Sequence, residues 1–212
     1  MSITRLVFLR HGQTDWNHTH RLQGQADVEL DAVGVRQAHA AARALAGRRF
    51  AAVYSSDLGR ALVTAQTVAD DLDLPVSVDA RLQEIHVGSW SGKTRAQVEA
   101  EMPLYADWYL QGRDFRRSDS GETMAEMVER AMPAIEEILD RHDGQETLVV
   151  GHGFLFSKLL QHVLNLSEDS RVIGSLGNGH WSEVAFSEHG TWLVSHNVGA
   201  LQGDWSTGSV VR

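Results

Sequence analysis

The sequence predicts an α/β fold, a three-layer sandwich with a mostly parallel central sheet, helices on both faces and an inserted helical lobe. Three observations carry this. Short apolar runs bounded by glycine, Leu6-Val7-Phe8-Leu9 and Leu148-Val149-Val150, have the length and branching of buried strands. Stretches with apolar residues three or four apart alternate with them, as in strand-helix-strand units. Between Thr94 and Arg141, by contrast, almost no β-patterned run occurs.

Taken in order, strands are expected near 5–9, 51–54, 76–78 and 147–150, with later ones at 181–186 and 192–195. Helices are expected over the alanine-rich 34–46, over 60–72 and over 154–164, where an apolar face is joined by Lys158 and Gln161. In the central segment Met124, Met127, Val128, Ala131, Ile135, Ile138 and Leu139 share one helical face, and its methionines read as core filler. Pro133 should kink or restart that helix. The expected organisation is a single domain over 1–212 with a helical lobe at about 94–141 leaning over a crevice.

Composition fits a globular enzyme: 212 residues, 42% hydrophobic, 22% charged, only 3 prolines and no low-complexity tract. The net charge of −9, with 19 basic against 28 acidic residues, argues against nucleic acid as a partner. The densest basic patch, 113–117, is broken by Asp114 and followed by Asp119 and Glu122, so it reads as a solvated loop. The alternative, that one of its arginines meets a second anionic group of a substrate, stays open. No apolar stretch approaches the roughly 18 residues of a membrane span, and the amino terminus lacks a signal-peptide pattern. No membrane partner and a cytoplasmic location are therefore expected. With no cysteine, disulfides, thiolate catalysis and Cys-ligated zinc are excluded.

The chemistry gathers at two strand ends. The first strand delivers Arg10-His11-Gly12 and the fourth delivers His152-Gly153, and open α/β sheets place their chemistry just beyond the carboxyl ends of strands. If these strands are parallel neighbours, the two imidazoles meet. Either histidine alone reads as an ordinary hydrogen-bonded loop residue. An arginine beside one of them is costly at a buried strand end unless an anion is expected there, since guanidinium keeps its charge.

Leu9-Arg10-His11-Gly12-Gln13-Thr14-Asp15-Trp16-Asn17 resembles the signature of the histidine phosphatase superfamily, also called phosphoglycerate mutase-like. The likeness continues through Gln23-Gly24, Leu30 and Gly34, then Ser55 to Arg60, then Leu82-Gln83-Glu84 with Gly88 and Gly92, and ends at His152-Gly153. It implies that His11 attacks phosphorus and becomes a phosphohistidine, one ring nitrogen attacking while a neighbouring acceptor holds the other's proton. Arg10, Arg60 and His152 would supply positive charge around the phosphoryl group, His152 as a cationic or donor group, and Glu84 would be the proton donor, half-buried. Asn17, Gln23, Gly24 and Gly153 would join Arg10, Arg60 and His152 in binding substrate. No metal and no cofactor are implied.

Other readings are secondary. Asp57 reads as a cap of the following helix, while His86 and His180 are candidates to border the site. Phe154 departs from the family pattern, which commonly has a second glycine there, and should reshape the pocket. Gly88, Trp90 and Gly92 look like the phosphatase branch, while Gln13-Thr14-Asp15, Gln23-Gly24-Gln25, Glu84-Ile85-His86 and the turn Gly177-Asn178-Gly179-His180 before Trp181 resemble glucosyl-3-phosphoglycerate phosphatases. The expected function is thus a metal-independent phosphomonoesterase acting on a small phosphorylated metabolite, of sugar phosphate or phosphoglycerate type. A cofactor-dependent phosphoglycerate mutase and a catalytically inactive phospho-ligand-binding member are the alternatives, and a homodimer is in keeping with the family.

Overall fold

A computed structural model describes residues 2–167 and 170–200 of the chain. Six strands form one sheet: β1 (Thr4–Arg10), β2 (Ala52–Ser55), β3 (Val76–Val78), β4 (Glu146–Gly151), β5 (Trp181–Ser187) and β6 (Gly190–Val198), in the order β3-β2-β4-β1-β5-β6. The first four of these positions run parallel, and β5 and β6 are antiparallel additions at one edge. The sheet is mostly parallel, with helices on both faces.

Alternation along the buried strands divides the core in two. Leu6 and Phe8 of β1, with Tyr54 and Val149, point to one face, where they meet α6 (Met124–Arg141) and α7 (Gly153–Val163). Val7 and Leu9, with Val53, Leu148 and Val150, point to the other, against α2 (Ala32–Leu45) and α3 (Gly59–Leu72). All nine are buried. Strands covered on both faces read as continuous apolar runs, which is why β1 and β4 stood out in the sequence. Among the described residues the remaining α-helices are the single-turn α1 (Asp15–His18) and two short ones, α4 (Arg95–Glu101) and α5 (Tyr105–Leu110). Among the described residues no helix is long and apolar enough to cross a membrane.

Three local features shape the region around the strand ends. Helix α2 starts at Asp31, whose carboxylate accepts the Gly34 N–H at 2.7 Å. Its first turn then presses on the loop after β1, so closely that a Cβ at Gly12 would lie 2.3 Å from Gly34 O and one at Gly34 only 2.0 Å from Gln13 O. Both glycines are steric requirements. At α3 the expected cap is not found: Asp57 instead accepts from Gln83 Nε2, while Asp27 takes the Gly59 N–H at 2.8 Å. Helix α6 opens with a Thr123/Glu126 capping box and runs as one 18-residue helix through Pro133, without the restart expected there. Pro133 and Glu129, whose carbonyl loses its bond, are both exposed, so water can satisfy that carbonyl and the interruption is tolerated.

Candidate active site

Strands β1 and β4 pair in parallel with Arg10 opposite Gly151. His11 and His152 therefore leave the sheet at one level, their ring centroids 5.3 Å apart.

His11 is 3% exposed, and its Nδ1 lies 2.6 Å from Gly12 O. A carbonyl only accepts, so Nδ1 carries the proton and Nε2 keeps its lone pair. Burial first, then the charges of Arg10 and Arg60, holds His11 well below the usual imidazole range. Its ring is neutral at pH 7, the form a nucleophile needs.

His152 is completely buried, and its Nε2 lies 3.0 Å from Ser56 Oγ while Arg60 Nη2 approaches Nδ1 at 3.4 Å. The guanidinium can only donate, so Nδ1 is the acceptor and the proton sits on Nε2, directed at Ser56. Burial, Arg60, His11 and Arg10, in that order, keep this ring neutral too. Of the two roles expected from the sequence, cationic group or donor, the cationic one is not met in this state, because burial first and the neighbouring guanidiniums after it disfavour the charged ring.

Those guanidiniums are held by backbone carbonyls. Arg10 Nη1 donates to Leu176 O at 2.6 Å; Arg60 donates to Ala26 O at 2.6 Å and Gly24 O at 2.7 Å. The Nε of each is buried without a partner among the described residues. Burial pulls Arg10 down to about 10 and Arg60 also downward, leaving both charged at neutral pH. Buried cations with unused donors are what an anion site requires.

Glu84 stands across the same cavity, half-buried. Its Oε1 accepts from Ile85 N at 2.9 Å and Leu155 N at 3.0 Å, and Oε2 accepts from Phe154 N at 3.0 Å. The first turn of α7 thus orients the carboxylate. From behind, Arg130 of α6 donates to the carbonyls of Arg81 at 2.7 Å, Gln83 at 3.1 Å and Glu84 at 3.2 Å. That guanidinium ties the Glu84 loop to the helix.

The cavity these groups face has a volume of 330 Å³, and Arg10, His11, Asn17, Gln23, Gly24, Arg60 and Glu84 all lie on its wall. His152 and Gly153 stand behind that wall: Arg60 lies against His152, and Arg10 Cδ sits 3.0 Å from where a Gly153 Cβ would be. Gln23 is buried with its Oε1 unpartnered among the described residues. His86 and His180 do not reach the wall; His86 Nδ1 bonds Ser120 O, and His180 Nδ1 bonds Asn197 Oδ1.

Several cavity residues carry no sequence signal that marks them. The wall also includes Arg21, Arg95, Tyr105, Tyr109 and Arg117. Arg117 belongs to the 113–117 patch, but it is buried at 6% exposure, with its guanidinium 4.2 Å from the Phe115 ring centroid and 5.5 Å from that of Phe154. The patch is therefore not merely a solvated loop. Phe154, in place of the usual glycine, forms wall between Arg117 and Lys158, whose Nζ is 5.7 Å from the ring centroid. Ser56, inside the Ser55 to Arg60 stretch, and Asn178, in the turn before Trp181, support the histidines, and only the structure shows it.

A parallel sheet with two histidines and two arginines converging beyond adjacent strand ends defines a phosphoryl-transfer class. The model of the histidine phosphatase superfamily (branch 1) matches residues 6–199, and the chain belongs to that superfamily. It is an enzyme of the phosphatase class. A glucosyl-3-phosphoglycerate phosphatase of Mycolicibacterium vanbaalenii is 38% identical over 195 residues, covering 87% of this chain and 85% of the relative. A probable phosphoglycerate mutase of Yersinia enterocolitica is 35% identical, with 93% and 92% covered. Among solved structures, a mycobacterial glucosyl-3-phosphoglycerate phosphatase in complex with VO3 superposes with a TM-score of 0.85 at 35% identity, covering 92% of this chain and 99% of that one.

Proposed function

We propose that the chain hydrolyses a phosphate monoester of phosphoglycerate type carrying a sugar, such as glucosyl-3-phosphoglycerate, through a phosphohistidine on His11. One observation carries the reading: a neutral histidine with its lone pair on Nε2 lies beside two buried guanidiniums whose Nε donors have no partner among the described residues. The relatives named for glucosyl-3-phosphoglycerate support the substrate class. So does the wall beyond the phosphate end, where three arginines suit a carboxylate and Trp90, Tyr105, Tyr109 and Phe154 suit the apolar face of a sugar.

In the first step Nε2 attacks phosphorus, the ester P–O bond breaks, and Glu84 gives its proton to the departing alkoxide. The fork of each guanidinium holds charge growing on the phosphoryl oxygens. Burial first and then Arg60 keep His152 neutral, and a dianion held by the arginines offsets only their share of that effect. In the second step Glu84 takes a proton from water, the oxygen attacks phosphorus, and the P–N bond breaks to free His11 and inorganic phosphate. Asn17, Gln23 and Gly24 complete the substrate contacts, with Gly153 positioning Arg10.

The test is rapid acid-free quenching with a panel of phosphorylated metabolites. A base-stable, acid-labile phosphoenzyme should form in the wild type and be absent in His11→Ala, with stoichiometric release of phosphate. Interconversion of 2- and 3-phosphoglycerate without phosphate release would make the chain a mutase. Absence of turnover with phosphate still bound would make it an inactive binder. The proposal includes cytoplasmic residence, since a charged phosphorylated metabolite is confined by membranes, and a homodimer, which sedimentation tests.

A further inference from the structure

The loop between α7 and β5 returns across the end of β1, and one side chain in it, Asn178, reaches three acceptors. Its Nδ2 lies 3.1 Å from His11 O, 3.3 Å from Gly12 O and 3.2 Å from Asn17 Oδ1. Both main-chain partners are carbonyls, so the amide must present its nitrogen to them. The turn can come this close because Gly179 sits at φ +69, where a Cβ would lie 2.9 Å from Gln37 Cβ, and its N–H donates to Arg10 O at 3.1 Å.

Two of these acceptors have a second task. Gly12 O receives the Nδ1 proton of His11, so whatever fixes the plane of that peptide fixes which nitrogen of the ring is free. Asn17 Oδ1 also accepts from Thr14 N at 3.1 Å. With its oxygen committed twice over, the amide of Asn17 must turn its NH2 group elsewhere, and Asn17 lines the cavity.

We propose that Asn178 is a positioning residue for phosphoryl transfer: its one amide holds the Gly12 carbonyl that keeps the His11 proton on Nδ1 and orients Asn17 as a donor toward the substrate. This rests on the reading of His11 as nucleophile. Asn178 itself is not on the cavity wall, so it acts through these two neighbours.

The test combines ¹⁵N NMR of the His11 ring with rapid-quench measurement of phosphohistidine formation, in wild type, Asn178→Ala and Asn178→Asp. Wild-type His11 should be a single Nδ1–H tautomer. Asn178→Ala should show a mixture of tautomers and form phosphoenzyme ten- to a hundredfold more slowly, the cost of small misplacement of a reacting group. Asn178→Asp fills the same volume but sets an acceptor against acceptors, so it should lose at least as much, and it carries the test should the alanine variant not fold. A wild-type Nε2–H tautomer, or variants that melt lower yet keep the wild-type tautomer and burst rate, would overturn the proposal. Failure of the wild type to form phosphohistidine at all would instead overturn the functional reading beneath it.

Discussion

Arg60→Met removes one buried cation from the centre of the site while keeping most of the side chain's length. Arg60 is 1% exposed, and its only described partners are Gly24 O, Ala26 O and His152 Nδ1. Two of those bonds hold the loop; the donor with no partner is left for the phosphoryl group. Removing one preorganised donor from a developing oxyanion costs about 2.7–4 kcal/mol, so kcat/KM for an alkyl phosphate should fall by roughly a hundred- to a thousandfold. A second effect comes from the same charge. Arg60 ranks directly behind burial in depressing His152, and behind burial and Arg10 for His11, so both imidazoles should titrate at higher pH in the variant, His152 more strongly. Steady-state kinetics with vanadate inhibition reads the first effect, and ¹⁵N NMR titration of the two rings reads the second. Arg60→Lys keeps the charge without the fork and should fall between. Near-normal kcat/KM and unaltered vanadate inhibition in Arg60→Met would place the guanidinium outside the reaction.

Three further outcomes are expected. Glu84→Gln should slow phosphorylation by an alkyl phosphate far more than by p-nitrophenyl phosphate, whose phenolate leaves unaided; burst rates depressed equally would remove Glu84 from the acid role. Because one carboxylate oxygen becomes an NH2 that must face a backbone N–H, that variant should also lose about 1–3 kcal/mol of stability, checked by denaturant melts. Arg130→Met should reproduce the leaving-group bias of Glu84→Gln more weakly, since it frees the loop that carries Glu84; a loss indifferent to the leaving group would confine Arg130 to folding. His11 and His152 are depressed in the folded chain and titrate near 6.5 when unfolded, so below that pH the unfolded state binds more protons and stability falls with acidity. His152→Asn should flatten the decline in Tm between pH 6.5 and 5, and an unchanged slope would refute the contribution.

The sheet and the strand-end residues were legible because they rest on local signals. β1 and β4 are buried on both faces, so their sequences are unbroken apolar runs; β1 leads into residues on the cavity wall and β4 into residues just behind it. Helix α6 was legible by its apolar spacing, but not its continuity: whether Pro133 breaks a helix depends on which carbonyl it orphans, and here that carbonyl faces water. Asp57 was misread because a cap is a three-dimensional fit, and Asp27, far away in the chain, supplies the acceptor. The charge state of His152 was hidden for the same reason, since it depends first on complete burial and then on guanidiniums brought within reach by α3 and β1. Arg117 could not be separated from its basic neighbours until Phe115 and Phe154 were seen to stack about it.

The supports of the two arginines explain how the fold tolerates so much buried positive charge. Leu176 O holds Arg10, and Gly24 O and Ala26 O hold Arg60. These carbonyls belong to loops after α7 and after α1. Each guanidinium is thereby partly solvated by the backbone, yet keeps an unused donor, and the neutral histidines avoid adding a third and fourth cation. A phosphate dianion brings two negative charges to two positive ones, so its arrival relieves the electrostatic cost of burial that the carbonyls only reduce. Anion binding and folding are therefore coupled, and Tm should rise with phosphate or vanadate concentration as mass action requires, by an amount that shrinks in Arg60→Met. A wild-type Tm indifferent to saturating vanadate would contradict the placement of the anion between these two guanidiniums.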